Sequence, residues 1–253
     1  MTLPFEPILF GIKINIHLIL EYIAYFVAFR YYVYLRKNNH DEISKLNRLS
    51  IILGAIIGGF IGSRLVGFLE NPLIDLTIKT ILNLFNTKTI MGGLFGGLIG
   101  VEISKKIIKE KTSSGDLFTL PIIVGIFIGR IGCFLSGTNE FTYGKETTFI
   151  TGMNLGDGLI RHPTALYELL FLIILYINLK WLKSKQKLEN GFLFKIFMIL
   201  YFGFRFFIEF IKPNIFFTFN LSSIQWLCII CLVYYSKTIS KFFKYAYKKI
   251  YLL

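Results

Sequence analysis

The residues most able to do chemistry lie between Gly129 and Glu168. An apolar run, Leu120–Ile128, leads directly into Gly129-Arg130, which puts an arginine where hydrocarbon is expected. A stretch rich in Gly, Thr and Asn follows, carrying Glu140, Tyr143, Gly144, Asp157 and Arg161. It closes on Arg161-His162-Pro163 and enters a second apolar run that bears Tyr167 and Glu168. An ionisable side chain at bilayer depth costs roughly 2.5–3.5 kcal/mol on insertion scales, so its default reading is functional. A guanidinium keeps its charge on burial and offers a planar fork of donors suited to phosphate. Glu140 then either accepts a proton or orients Arg130. The competing reading is a buried Arg–Glu pair that only ties helices together.

A second charged group interrupts another apolar run in Arg205-Phe206-Phe207-Ile208-Glu209-Phe210. Residues four apart share a helix face, so Arg205 and Glu209 can pair, and such a pair belongs in a bundle interior or a wet cavity. Arg64, in Gly62-Ser63-Arg64, fits a lipid-phosphate contact and a structural ion pair equally. In Gly92-Gly93-Leu94-Phe95-Gly96-Gly97-Leu98-Ile99-Gly100, close helix packing in lipid explains the spacing. A glycine-lined groove that admits an acyl chain or headgroup explains it as well. Glu21 requires a partner within the bundle, and Arg30 has the reach to snorkel to the interface. Cys228-x-x-Cys231 has metal or redox spacing but no second ligand pair, and small apolar packing accounts for it. No His/Cys/Asp cluster has metal-ligand spacing, so neither metal nor soluble cofactor is implied.

Positioning those residues falls to long apolar segments. The chain has 253 residues, is 54% hydrophobic and 17% aromatic, and has a mean hydropathy of +0.61. Seven apolar segments stand out: Ile16–Leu35, Ile51–Leu69, Thr89–Ser104, Leu117–Leu135, Pro163–Leu182, Gly191–Ile211 and Phe217–Tyr235. Several approach the ~20 residues a bilayer-crossing helix needs. The third is short and glycine-rich, as a tilted or re-entrant helix would be. The expected fold is an all-α polytopic membrane protein with about seven transmembrane helices and no internal domain boundary, so that residues 1–253 form a single transmembrane domain. Between Glu70 and Lys88, apolar residues Leu73, Ile74, Ile78, Ile81, Leu82 and Phe85 recur near helical spacing. An amphipathic arm at the membrane interface and a helix packed on the protein's own top both fit.

The net charge of +13 does not point to nucleic acid, because the basic residues fall in short loops between apolar segments. Arg36, Lys37, Lys45 and Arg48 follow the first segment, and Lys105, Lys106, Lys109 and Lys111 the third. Lys180, Lys183, Lys185 and Lys187 follow the fifth, and Lys237, Lys241, Lys244, Lys248 and Lys249 the seventh. Basic loops face the cytoplasm. Seven spans then place the N-terminus outside, the C-terminus in the cytoplasm, and the Gly137–His162 loop region on the outer face. No cleavable signal peptide is evident in the first ten residues. These features point to a membrane enzyme that handles an anionic lipid at the outer leaflet.

Three motifs, in this order, resemble the prolipoprotein diacylglyceryl transferases. They are Gly129-Arg130-Ile131-Gly132-x-Phe134 with Glu140 and Gly144, then Arg161-His162-Pro163-Thr164-x-Leu166-Tyr167-Glu168, then Arg205-Phe206-Phe207-x-Glu209-Phe210. The resemblance covers nearly the whole chain. It implies a seven-span, multi-pass protein of the bacterial inner membrane with its site facing outward. It also implies transfer of the diacylglyceryl group of phosphatidylglycerol to the lipobox cysteine of a prolipoprotein, with release of glycerol phosphate. By resemblance, Arg130 binds the lipid headgroup, Arg205 stabilises the departing phosphate, and Glu140 supports Arg130 or assists proton movement. Arg64, Gly92, Gly93, Gly144, Tyr167 and Glu209 complete the expected lipid site. The chain departs from the family at Met91, where members carry a histidine proposed to activate the thiol, and at Cys133 and Ser136, which stand for asparagines. Thr138-Asn139 resembles an insertion. A thiol of pKa near 8.5 needs help to ionise, and His162 or Glu140 are the candidates to supply it. Two other readings remain open: the same lipid donor with another acceptor, and a phospholipid-binding or transport protein without chemistry.

Overall fold

The computed structural model describes residues 3–39, 41–70, 82, 87–185, 188–215 and 217–241. Helices stand in each of the seven apolar segments: α1 (Ile16–Asn38), α2 (Lys45–Glu70), α3 (Ile90–Ile107), α4 (Asp116–Ser136), α5 (Thr164–Lys185), α6 (Phe192–Ile208) and α7 (Ser223–Tyr234). Four of them, α1, α2, α4 and α5, are long and apolar enough to cross a membrane. Of the rest, α3 is 18 residues with Glu102, Lys105 and Lys106 near its end, α6 is 17 and α7 is 12. The glycine-rich third segment is one continuous helix. Most of the proposed arm, residues 71–81 and 83–86, lies outside the described residues, as do Lys187, Lys244, Lys248 and Lys249 of the basic loops. Lys45 and Arg48 belong to the first turn of α2 rather than to a loop, and Arg48 is buried.

The chain forms two compact units interleaved in sequence. Unit 1 comprises the described residues of Met1–Glu42, Ser113–Phe194 and Phe210–Pro213. Here α4 packs against both α1 and α5. The buried residues of α4 include Ile123, Ile126, Arg130 and Cys133, spaced by three and four, so the arginine lies on the core-facing stripe. On α5 the buried stripe is Ala165, Glu168, Leu172, Leu175 and Leu179. The opposite face carries exposed Leu170, Ile173, Ile174, Ile177 and Trp181, a surface suited to hydrocarbon. The Asn15 side chain caps α1 by accepting from the Leu18 amide at 3.0 Å. Two short hairpins complete the unit. Ile8–Leu9 pairs with Ile12–Lys13, which we call β1 and β2, and Met153–Asn154 pairs with Ile160–Arg161, β3 and β4.

Unit 2 comprises the described residues of Ile43–Thr112, Lys195–Glu209 and Asn214–Leu253. Its spine is the antiparallel α2–α3 seam. Gly54, Gly58 and Gly62 on α2 meet Gly100, Gly96 and Gly92 on α3. A Cβ on Gly58 or Gly96 would collide with backbone of the facing helix. With no hydrophobic drive between helices in lipid, this close backbone approach supplies the packing. Ser222 and Gln225 form a reciprocal capping box at the start of α7.

Candidate functional site

Arg130 and Glu168 face each other from α4 and α5, with Nε 2.8 Å from Oε1 and both residues buried. Apolar stripes that pack α4 on α5 carry one charge each at matching depth, so burial of the helices forces the pair together. Cys133 is three residues beyond Arg130 on the same face, and its Sγ lies 3.7 Å from Arg130 Nη1. From α1, His17 brings Nε2 to 3.5 Å from Cys133 Sγ. Gly132 permits that approach: a Cβ there would sit 3.2 Å from both Cα and Cδ2 of His17.

The loop after α4 returns a carboxylate to the same imidazole. Gly137 ends α4 at φ +53°, and a Cβ there would strike the Leu155 carbonyl. Thr138-Asn139, the two residues that resemble an insertion, complete a 3-10 turn over Gly137–Asn139, with the Thr138 amide donating to Leu155 O at 3.1 Å. Asn139 Nδ2 donates to Glu6 at 2.8 Å. The chain leaves this turn with Glu140 Oε1 3.4 Å from His17 Nδ1. Glu140 is thereby set beside His17, and Arg130 has Glu168 as a carboxylate partner. Glu140 follows the turn rather than the helix, which carries it to α1.

Further along the loop, Gly144 donates its amide to His162 O at 2.9 Å, and a Cβ there would lie 2.5 Å from His162 Cβ. Lys145 then bonds Ile211 O through its amide at 2.7 Å. His162 Nδ1 lies 3.1 Å from the Tyr167 hydroxyl, which also meets Thr151 Oγ1. His162 and Tyr167 thus act on each other at the entry to α5. Arg161 is held by Asp157 at 2.7 Å and lies over the Tyr143 ring at 5.1 Å. The hydrogen bond from Arg161 holds the Asp157 carboxyl below the usual carboxylate range. Beneath this loop a narrow pocket is lined by Cys133, Gly137, Thr142, Tyr143, Pro163 and Thr164.

In unit 2, Arg205 and Glu209 form the i,i+4 pair anticipated from their spacing, fully buried, with Arg205 Nη2 donating to Glu209 Oε1. Glu209 Oε2 also accepts from Asn214 Nδ2. Gln225 Nε2 donates to the Phe206 carbonyl at 3.2 Å, tying α7 to the end of α6. Arg64 donates to the Thr87 carbonyl at 2.9 Å and lies 5.3 Å from the Phe60 ring centroid. Gly92 is packed against α2, whereas a Cβ on Gly93 would find only ordinary contacts at 3.7 and 3.8 Å. Met91 is buried.

Sequence reasoning passed over His17 and left Glu168 inside a motif without a role. One signal marked His17: an imidazole two residues into an apolar helix, just after a capping asparagine, is a polar group at a membrane boundary.

A family model described as Prolipoprotein diacylglyceryl transferase matches residues 7–239. The chain is similar to the phosphatidylglycerol–prolipoprotein diacylglyceryl transferase of Ehrlichia ruminantium (strain Welgevonden), 32% identical over 199 residues, which is 74% of each chain. It is 33% identical over 194 residues to the protein of the same name from Ehrlichia canis (strain Jake), covering 72% of this chain and 69% of that one. With the one from Nitratidesulfovibrio vulgaris (strain DP4) it shares 35% identity over 176 residues, 64% and 61% of the two chains. This membrane-embedded chain belongs to the prolipoprotein diacylglyceryl transferase family, a family of transferases.

Proposed function

We propose that the protein transfers the diacylglyceryl group of phosphatidylglycerol to the lipobox cysteine of a prolipoprotein peptide and releases glycerol phosphate. The observation that carries the reading is the buried Arg130–Glu168 pair under a glycine-built loop. A permanently charged guanidinium oriented along its Nε edge keeps its other donors aimed at one place, as phosphate recognition requires. Arg130 binds the headgroup, with Arg64, Gly92, Gly93, Gly144 and Tyr167 as further lipid contacts. Arg205, held by Glu209, neutralises the departing phosphate. In the step itself the peptide sulfur forms a bond to the glyceryl carbon while that carbon's bond to the phosphate oxygen breaks. The arginines stabilise the charge that collects on the leaving oxygen. Glu140 and His162 serve proton movement. The reading takes residues 1–253 as one domain with seven spans in a bacterial inner membrane, N-terminus outside and the site open to the outer leaflet. The alternation of basic loops supports that orientation.

A second reading, the same donor with a different acceptor, is favoured by one observation: an apolar, buried Met91 where the family resemblance leads one to expect histidine. To test both, the purified chain is incubated with phosphatidylglycerol and a lipobox peptide, and the peptide cysteine is examined for a diacylglyceryl adduct. The first reading expects product that is lost in Arg130→Ala and Arg205→Ala. Glycerol phosphate release without peptide product selects the second. An Arg130→Ala enzyme that works as well as the parent overturns the shared lipid site.

A further inference from the structure

The Glu140–His17–Cys133 alignment carries an inference beyond lipid transfer. Its three groups come from separate stretches of unit 1: the loop after α4, the first turn of α1, and the core-facing stripe of α4. An ionised Glu140 beside Nδ1 favours the tautomer with the proton on Nδ1. That leaves the Nε2 lone pair facing Cys133 Sγ at 3.5 Å, where it can accept the thiol proton. Nucleophile, base and orienting carboxylate then stand in the order that activates cysteine nucleophiles on unrelated folds. Arg130 Nη1, 3.7 Å from the same sulfur, is placed to share the charge of a thiolate, and Glu168 balances that arginine. Tyr143 lines the same pocket. Cys133 is buried but lines this pocket, with 6% of its surface exposed. Cys228 and Cys231 are free thiols too, but both are completely buried in α7.

We propose that Cys133 is an activated thiol and the site at which small soft electrophiles modify this protein, with His17 as the proton acceptor and Glu140 as the residue that positions His17. With iodoacetamide the thiol proton passes to His17 Nε2. The sulfur forms a bond to the methylene carbon, the carbon–iodine bond breaks, and iodide leaves with the electron pair. The imidazolium then gives its proton to water. An adduct on Cys133 fills the space beside Arg130, and in this respect alone the inference rests on the lipid-transfer reading: alkylated protein should lose that activity.

The full chain in detergent micelles is treated with iodoacetamide at pH 7 and followed by intact mass and peptide mapping. The expected result is one carbamidomethyl group on Cys133, with Cys228 and Cys231 unmodified until the protein is unfolded. Cys133→Ser removes the adduct. His17→Gln slows its formation about a hundredfold, the lower end of what a positioned base contributes. Glu140→Gln, on a half-exposed loop position, slows it by a smaller factor and carries the test if His17→Gln does not fold. Modification of Cys133 no faster than of Cys228 and Cys231 overturns the inference, as does an unchanged rate in Glu140→Gln together with any folded His17→Gln protein. Vesicles of phosphatidylglycerol separate the two readings. Protection of Cys133 supports lipid beside Arg130, whereas rapid alkylation without protection counts against that lipid site and leaves the activated thiol standing.

Discussion

Replacing Glu168 by methionine removes the carboxylate from a buried ion pair while keeping a side chain of similar length. At the 2.8 Å separation of Arg130 Nε and Glu168 Oε1, and an effective dielectric of about 20, the gross attraction is about 6 kcal/mol. Desolvation of both ions cancels much of this. The arginine left behind cannot neutralise itself, so Glu168→Met breaks a buried pair from one side and should cost about 3–5 kcal/mol. At roughly 2–4 °C per kcal/mol for a chain of this size, the thermal midpoint in detergent falls by about 6–20 °C. Glu168→Gln retains an acceptor and falls between. The double variant Arg130→Met/Glu168→Met removes both charges, and a pair exchanged for apolar groups of similar volume is often neutral or better. It should therefore regain most of the lost stability while remaining inactive in diacylglyceryl transfer. Glu140→Gln is the control: its side chain is 37% exposed and 3.4 Å from His17, so about 0–1 kcal/mol is expected. A double variant no more stable than Glu168→Met, or a Glu140→Gln midpoint that drops as far as Glu168→Met, refutes the assignment of Arg130 to Glu168.

Adjacent glycines on α3 should respond differently to one methyl group: Gly92→Ala drives a Cβ into the Gly62 carbonyl and lowers the thermal midpoint, while Gly93→Ala, with its nearest neighbours at 3.7 Å or beyond, leaves the midpoint near that of the parent. Gly144→Ala should open the loop over the pocket, because the added carbon meets His162 Cβ at 2.5 Å, and limited proteolysis between Tyr143 and His162 reads this out. The β3–β4 hairpin should loosen in acid. Asp157 has a depressed folded value, so its stabilising contribution is present above the ordinary carboxyl range and is lost as pH falls below about 4 through that lower value. Hydrogen exchange at Leu159, whose amide donates to Asp157, measures this, and Arg161→Ala should flatten the dependence.

Helices were legible from hydrophobicity alone: each of the seven apolar segments holds one, with ends displaced by up to six residues, as at Lys45 and Ser223. The displacement has local causes, among them the Ser222 capping box, which starts α7 well inside the apolar run from Phe217. The Arg205–Glu209 pair was equally legible, because both partners lie one helical turn apart on a single element. The glycine pattern of α3 signalled close approach but not its partner, which three facing glycines on α2 supply.

Spacing within one element is written in the chain, since 3.6 residues per turn converts sequence distance into a shared face. By itself the sequence therefore determined a helical membrane protein and the family motifs that carry Arg130 and Arg205. Which carboxylate meets which cation is a property of neighbouring elements, and no local period encodes it. Only tertiary packing decided that Arg130 takes Glu168 from α5, that Glu140 reaches His17 on α1, and that this imidazole comes to face the thiol of Cys133.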